Sequence, residues 1–199
     1  MVIVVTGFGC FRDYLVNPSW EAVKGLKDLW DNKDHELICE EIPGEYDFVL
    51  NQVPNKWKSQ DPEFVIHVGV SCLANKMTLE KQANNFGYDK PDVKKMFPPE
   101  NCCVGDCDSV KRSSCLDVED LSSKVNEACL QLKNGVEACV SEDAGKYLCD
   151  FVYFKSLYSL DGRSLFVHVP EIDKPYSVKQ MSEGLKLIVE NVIKQMKKN

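Results

Sequence analysis

Three short runs rich in β-branched residues, Val2 to Val5, Phe64 to Val68 and Leu165 to Val169, constrain this chain more than any other feature. Each is almost wholly apolar and stops at a residue suited to a loop: Thr6-Gly7 after the first, Gly69 after the second, Pro170 after the third. A strand with one face in water alternates apolar and polar residues. One that does not must be covered on both faces, which is the habit of parallel strands between two layers of helix. The intervening segments supply those helices. Ser19 reads as an N-cap for a helix with Trp20, Val23, Leu26 and Leu29 or Trp30 on one face. Leu37 to Glu40 reads as a second strand, and Tyr46, Val49, Leu50, Val53 and Trp57 keep helical spacing until Pro54 breaks it and opens a second short helix. Further on come a helix on Val118, Leu121, Val125 and Leu132, a strand at Val136 to Val140, and a helix beginning near Leu148. The last is a helix capped by Ser177, with Val178, Met181, Leu185, Ile188, Val192 and Met196 in register. The expectation is α/β: a single domain over 1–199, an open, twisted, mostly parallel sheet flanked by helices on both faces. From about 84 to 114 the pattern dissolves into Asn, Gly, Pro, Asp, Lys and Cys. An irregular excursion long enough to cover a site is expected there.

Twenty-four Lys plus Arg against thirty-one Asp plus Glu leave a net charge of −7. An acidic surface without a basic patch repels phosphate backbones and anionic lipid, so no nucleic acid and no membrane partner is expected. No apolar run reaches a bilayer span, and Met1 to Val5 is too short for a signal-peptide core, which points to the cytoplasm. In that setting the ten cysteines are thiols. The sharper reading of Cys102, Cys103, Cys107 and Cys115 as a zinc site fails on spacing, since adjacent cysteines followed by gaps of three and seven match no common paired-ligand pattern. No metal and no cofactor are expected.

In open parallel sheets, ligands sit beyond the carboxyl ends of the strands. The glycines of Thr6-Gly7-Phe8-Gly9 lack the third glycine and the acidic residue of a dinucleotide fingerprint. What remains there is an aromatic pair, Phe8 and Phe11, either core packing or the wall of a small apolar pocket. Of three histidines, His35 lies in a charged turn and is expected in solvent, His67 sits inside a strand as a hydrogen-bonded core residue, and His168 stands at a strand end. Cys149 follows the turn at Gly145 and opens a helix, whose free N–H groups favour a thiolate, although most free cysteines are merely small hydrophobes. A nucleophilic cysteine needs a base, and the base an orienting acceptor. Cys149, His168 and Glu80 are those three types, from three strand ends.

Several motifs in order give the chain its resemblance to a family. Thr6-Gly7-Phe8-Gly9 with Phe11, Val16-Asn17-Pro18-Ser19-Trp20, Thr78-Leu79-Glu80-Lys81, Asp143-Ala144-Gly145 with Tyr147-Leu148-Cys149-Asp150, and Phe166-Val167-His168-Val169-Pro170 resemble the motifs of pyroglutamyl-peptidase I, nearly end to end. These are cysteine peptidases of α/β fold. The resemblance implies Cys149 as nucleophile, His168 as general base and acid, and Glu80 orienting it. Phe8, Phe11 and Asn17 would enclose and hydrogen-bond a pyroglutamyl ring. The implied substrates are peptides with an N-terminal pyroglutamate, without cofactor. Val70 stands where bacterial members carry a substrate-binding glutamine, Asp150 where they carry asparagine, and Cys10 where a proline is usual. A non-catalytic binder of blocked N-termini and a thiol redox or metal-binding module are the rival readings, and Cys10 as a redox partner of Cys149 is weighed against simple packing.

Overall fold

The computed structural model describes residues 1–10, 16–105 and 109–198. Six strands make the main sheet: β1 (Val2–Phe8), β2 (Glu36–Ile42), β3 (Phe64–Val70), β4 (Met77–Glu80), β7 (Ala138–Ser141) and β8 (Ser164–Val169). Their order across the sheet is β2-β1-β3-β8-β4-β7. All neighbours are parallel except β4 and β8, which run antiparallel with Thr78 opposite His168.

Strand periodicity divides the core in two. Ile3, Val5, Phe64, Ile66, Val68, Leu165 and Val167 face one way, against α1 (Pro18–Leu29), α4 (Val118–Leu132) and α6 (Val178–Met196). Their neighbours Val4, Val65 and Phe166 face α2 (Tyr46–Asn51), α3 (Val53–Gln60) and α5 (Leu148–Ser159). The unbroken apolar runs therefore mean what such runs physically require, a sheet dry on both faces. The sheet is open, mostly parallel and covered by helices on both sides, as expected from the sequence.

The differences have local causes. Asn17, not Ser19, caps α1: Pro18 occupies the first helical position and Asn17 Oδ1 accepts from the Ser19 amide at 3.1 Å. The first strand runs on through Phe8 because Thr6, Gly7 and Phe8 keep pairing with Glu40, Glu41 and Ile42. His35 is buried rather than solvated, since the chain enters β2 there and Trp30 Nε1 donates to its carbonyl at 3.2 Å. The excursion holds a little sheet of its own, β5 (Gln82–Asn84) paired antiparallel with β6 (Lys111–Ser113). It is anchored rather than loose: the hydroxyls of Tyr46 and Tyr147 donate to the carbonyls of Lys90 and Pro91 at 3.0 and 2.8 Å.

No described helix is long and apolar enough to cross a membrane.

Candidate active site

Alternation along the strands selects which side chains can meet. On β8, Phe166 and His168 face the α5 layer while Leu165, Val167 and Val169 face the other. On β4 the residues Met77 and Leu79 belong to the α1 side, so Thr78 and Glu80 must point with His168. The antiparallel register sets His168 opposite Thr78 and diagonal to Glu80. His168 Nδ1 and Glu80 Oε1 are 2.8 Å apart, with Glu80 almost wholly buried and His168 9% exposed.

The third member comes from the helix above. After β7, Asp143 Oδ1 accepts from the Gly145 amide at 3.0 Å, and Gly145 adopts φ +87°, a left-handed turn that a side chain would strain. The turn delivers Tyr147 as the extended residue before α5 and Cys149 within its first helical turn. Cys149 and His168 line one cleft, with Glu80 held at the ring's Nδ1. Burial pulls the His168 pKa down, but the hydrogen bonds and negative charge of Cys149 and Glu80 outweigh it and hold the ring up at about 10. An imidazole so placed keeps its proton at neutral pH. Glu80 Oε2 is buried without a hydrogen-bond partner, so its charge is answered by His168 alone among the described groups.

These three residues open onto a cleft of about 640 Å³ that is mostly apolar and reaches Phe8, Asn17, Val70 and Tyr147. Phe8 is buried at its wall. Val70, the last residue of β3, is half-buried on it. Asn17 borders the cleft while its amide is engaged in the fold: Nδ2 donates to the Gly9 carbonyl at 2.8 Å, and Oδ1 accepts from Ser19. Phe11 lies outside the described residues. Cys10 is exposed and borders a smaller neighbouring cleft with Glu41 and Pro43.

Gly69 heads a strand-end segment that stands out in the sequence, and the structure sets it against the site. It lies beside His168 in the sheet, and a Cβ there would stand 2.7 Å from Phe166 Cζ and 3.0 Å from Cys149 Sγ. The glycine that ends an apolar strand was legible, but its neighbour across the cleft was not. As for the cysteine cluster, Cys102 and Cys103 are buried with Sγ directed at the carbonyls of Pro99 and Phe151, Cys115 is exposed, and Cys107 lies outside the described residues. Among the described residues no group of three or more His, Cys, Asp or Glu side chains could hold a metal.

A thiol at a helix N-terminus, an imidazole and a buried carboxylate on an open α/β sheet are the parts of a cysteine peptidase site. The profile of the pyroglutamyl peptidase family matches residues 1–197, and the chain belongs to that family. It is 41% identical over 192 residues to human pyroglutamyl-peptidase 1, covering 96% of this chain and 89% of the human one. Its fold resembles the crystal structure of Bacillus amyloliquefaciens pyroglutamyl peptidase I, with TM-score 0.83, 22% identity and 98% of each chain covered. It also resembles pyrrolidone carboxyl peptidase from Pyrococcus furiosus, with TM-score 0.86 and 22% identity over 98% of this chain and 100% of that one.

Proposed function

We propose that Cys149, His168 and Glu80 carry out in this chain the reaction of its family, hydrolytic removal of an N-terminal pyroglutamyl residue from a peptide. The observation that carries the assignment is the buried hydrogen bond between Glu80 and His168 on the cleft that Cys149 lines from the start of α5. The Cys149 thiolate attacks the carbonyl that follows the lactam ring. N–H groups of the first turn of α5, which have no acceptor within the helix, face the oxygen on which charge develops. His168 gives its proton to the departing amine and then takes one from the water that releases 5-oxoproline. Glu80 keeps the ring oriented and supports its positive charge.

The cleft wall supports the choice of substrate. A lactam carries no ammonium group, so it enters beside Phe8 and Val70 without having to desolvate a charge, whereas an unblocked N-terminus would leave a cation there unpaired. Asn17, Phe8 and Phe11 belong to the same reading as the enclosure of the ring. So does a cytosolic setting, in which the thiol is kept reduced.

Fluorogenic pyroglutamyl and prolyl substrates test this directly. Strong preference for the pyroglutamyl compound, with loss of turnover by several orders of magnitude in Cys149→Ala and in His168→Ala, is the expected result. Comparable rates on prolyl substrates, or near-normal turnover by Cys149→Ala, would overturn it.

A further inference from the structure

Among the described residues the Glu80 carboxyl has one hydrogen-bond partner, His168 Nδ1, and its second oxygen is buried with none. An orienting group works only as well as its own support holds it. No side chain supplies that support here, so the place of the carboxylate depends on the Glu80 backbone. That backbone ends a strand of only four residues, and the chain leaves the main sheet directly after it. The Lys81 amide donates to the Ser141 carbonyl at 2.8 Å, and Gln82 opens β5. One side chain holds the strand end itself: Tyr153 Oη donates to the Glu80 carbonyl at 2.8 Å, with both residues buried.

Tyr153 lies on α5 four residues after Cys149, about one helical turn further along the same face. Its hydroxyl therefore joins the helix that begins at Cys149 to the strand end that carries Glu80. Between them stands β8, whose register sets His168 opposite Thr78 and Phe166 opposite Glu80. Packing does not require the oxygen. Tyr153 is fully buried in the apolar layer with Phe151 and Phe154, its ring centroid 6.0 Å from that of Phe166, and a phenyl ring would fill the same space. A hydroxyl taken out of water costs stability unless it is bonded, and this one is bonded to Glu80. Tyr153 also lies behind the cleft and not on its wall. We infer that Tyr153 is a positioning residue for the orienting carboxylate: through the Glu80 carbonyl its hydroxyl sets β4 against the nucleophile helix and so aims Glu80 Oε1 at His168 Nδ1. The inference rests on the reading of Cys149, His168 and Glu80 proposed above.

Tyr153→Phe removes the hydrogen bond and keeps the ring. With a pyroglutamyl substrate it should lower kcat about tenfold and leave KM within about twofold, because the carboxylate shifts while the cleft wall does not. In proton spectra of the wild-type protein, the ring proton that His168 Nδ1 shares with Glu80 should resonate far downfield. In the variant it should move upfield as that bond loosens. A double substitution decides whether the effect runs through Glu80. Tyr153→Phe added to Glu80→Ala should leave kcat within about twofold of Glu80→Ala alone, since a support has no effect once the group it holds is gone. A further tenfold loss in the double variant, an unmoved His168 resonance, or a kcat within twofold of wild type for Tyr153→Phe would each overturn the role. Turnover by Cys149→Ala, measured alongside, reports separately on the nucleophile.

Discussion

The closeness of Gly69 to Cys149 ties the proposed nucleophile to a residue with no functional group at all. The sheet sets Gly69 level with His168, and the missing Cβ is the space in which Sγ and the Phe166 ring meet. In Gly69→Ala the new methyl must displace one or both. Overpacking of this kind costs about 1–3 kcal/mol. The larger effect should be on chemistry, since a displacement of about 1 Å at a reacting atom costs on the order of a hundredfold in rate. We therefore expect kcat to drop by about that factor in a protein whose circular dichroism is unchanged. A kcat within twofold of wild type would mean that the cleft yields and that the contact has no catalytic weight. Residue chemistry was the most legible layer of the sequence: Cys149, His168 and Glu80 were chosen for their types, and the structure brings all three to one cleft. Contacts such as that of Gly69 were not legible, because they depend on two segments eighty residues apart in the chain meeting in space.

Elements were readable in proportion to the length over which they repeat. The long amphipathic helices α4 and α6 and the apolar strands β1, β3 and β8 carry their period in their own residues. Strand β4 is four residues flanked by lysines, and only pairing with β7 and β8 makes it a strand, so the element that carries Glu80 was invisible. The same holds for three-residue β5 and β6. At α1 the cap itself borders the site. Asn17 holds Ser19 and the Gly9 carbonyl, and thereby joins the helix start to the loop after Phe8. Asn17→Ala should lose about 1–2 kcal/mol of stability in chemical denaturation, the ordinary worth of an N-cap with a buried partner. It should raise KM more than it lowers kcat, because the edge of the cleft moves while the Glu80, His168 and Cys149 line does not. Unchanged KM together with unchanged stability would remove Asn17 from both roles.

At the scale of the whole molecule, two buried groups with oppositely shifted proton affinities hold α5 down, His67 to the main sheet and Asp150 to β5. Trp57 Nε1 on α3 donates to Ser156 Oγ on α5 at 3.0 Å, and Ser156 is 2.8 Å from His67 Nε2 on β3. His67 Nδ1 lies 2.7 Å from Thr6 Oγ1 on β1, so the imidazole bridges α5 and the sheet through two hydroxyls. Neither of these hydrogen-bond partners is charged, and burial pushes the His67 pKa down from 6.5 to about 3. Between those values the unfolded chain binds the proton and the folded one does not, so this group's contribution is lost as pH falls through the interval. Asp150 acts in the opposite sense. Its pKa is raised from 3.8 to about 7, the folded chain holds the proton longer, and its contribution is lost as pH rises between those values. Each slope is at most about 1.4 kcal/mol per pH unit. From about 3.8 to 6.5 the two windows overlap and their slopes oppose, so the pair together should leave stability nearly independent of pH there. Removing one group exposes the other. Measured by chemical denaturation relative to wild type, stability should fall as pH rises across that interval in His67→Gln, and rise with pH in Asp150→Asn. Equal pH slopes in all three proteins would mean that neither group keeps its shifted proton affinity in the fold.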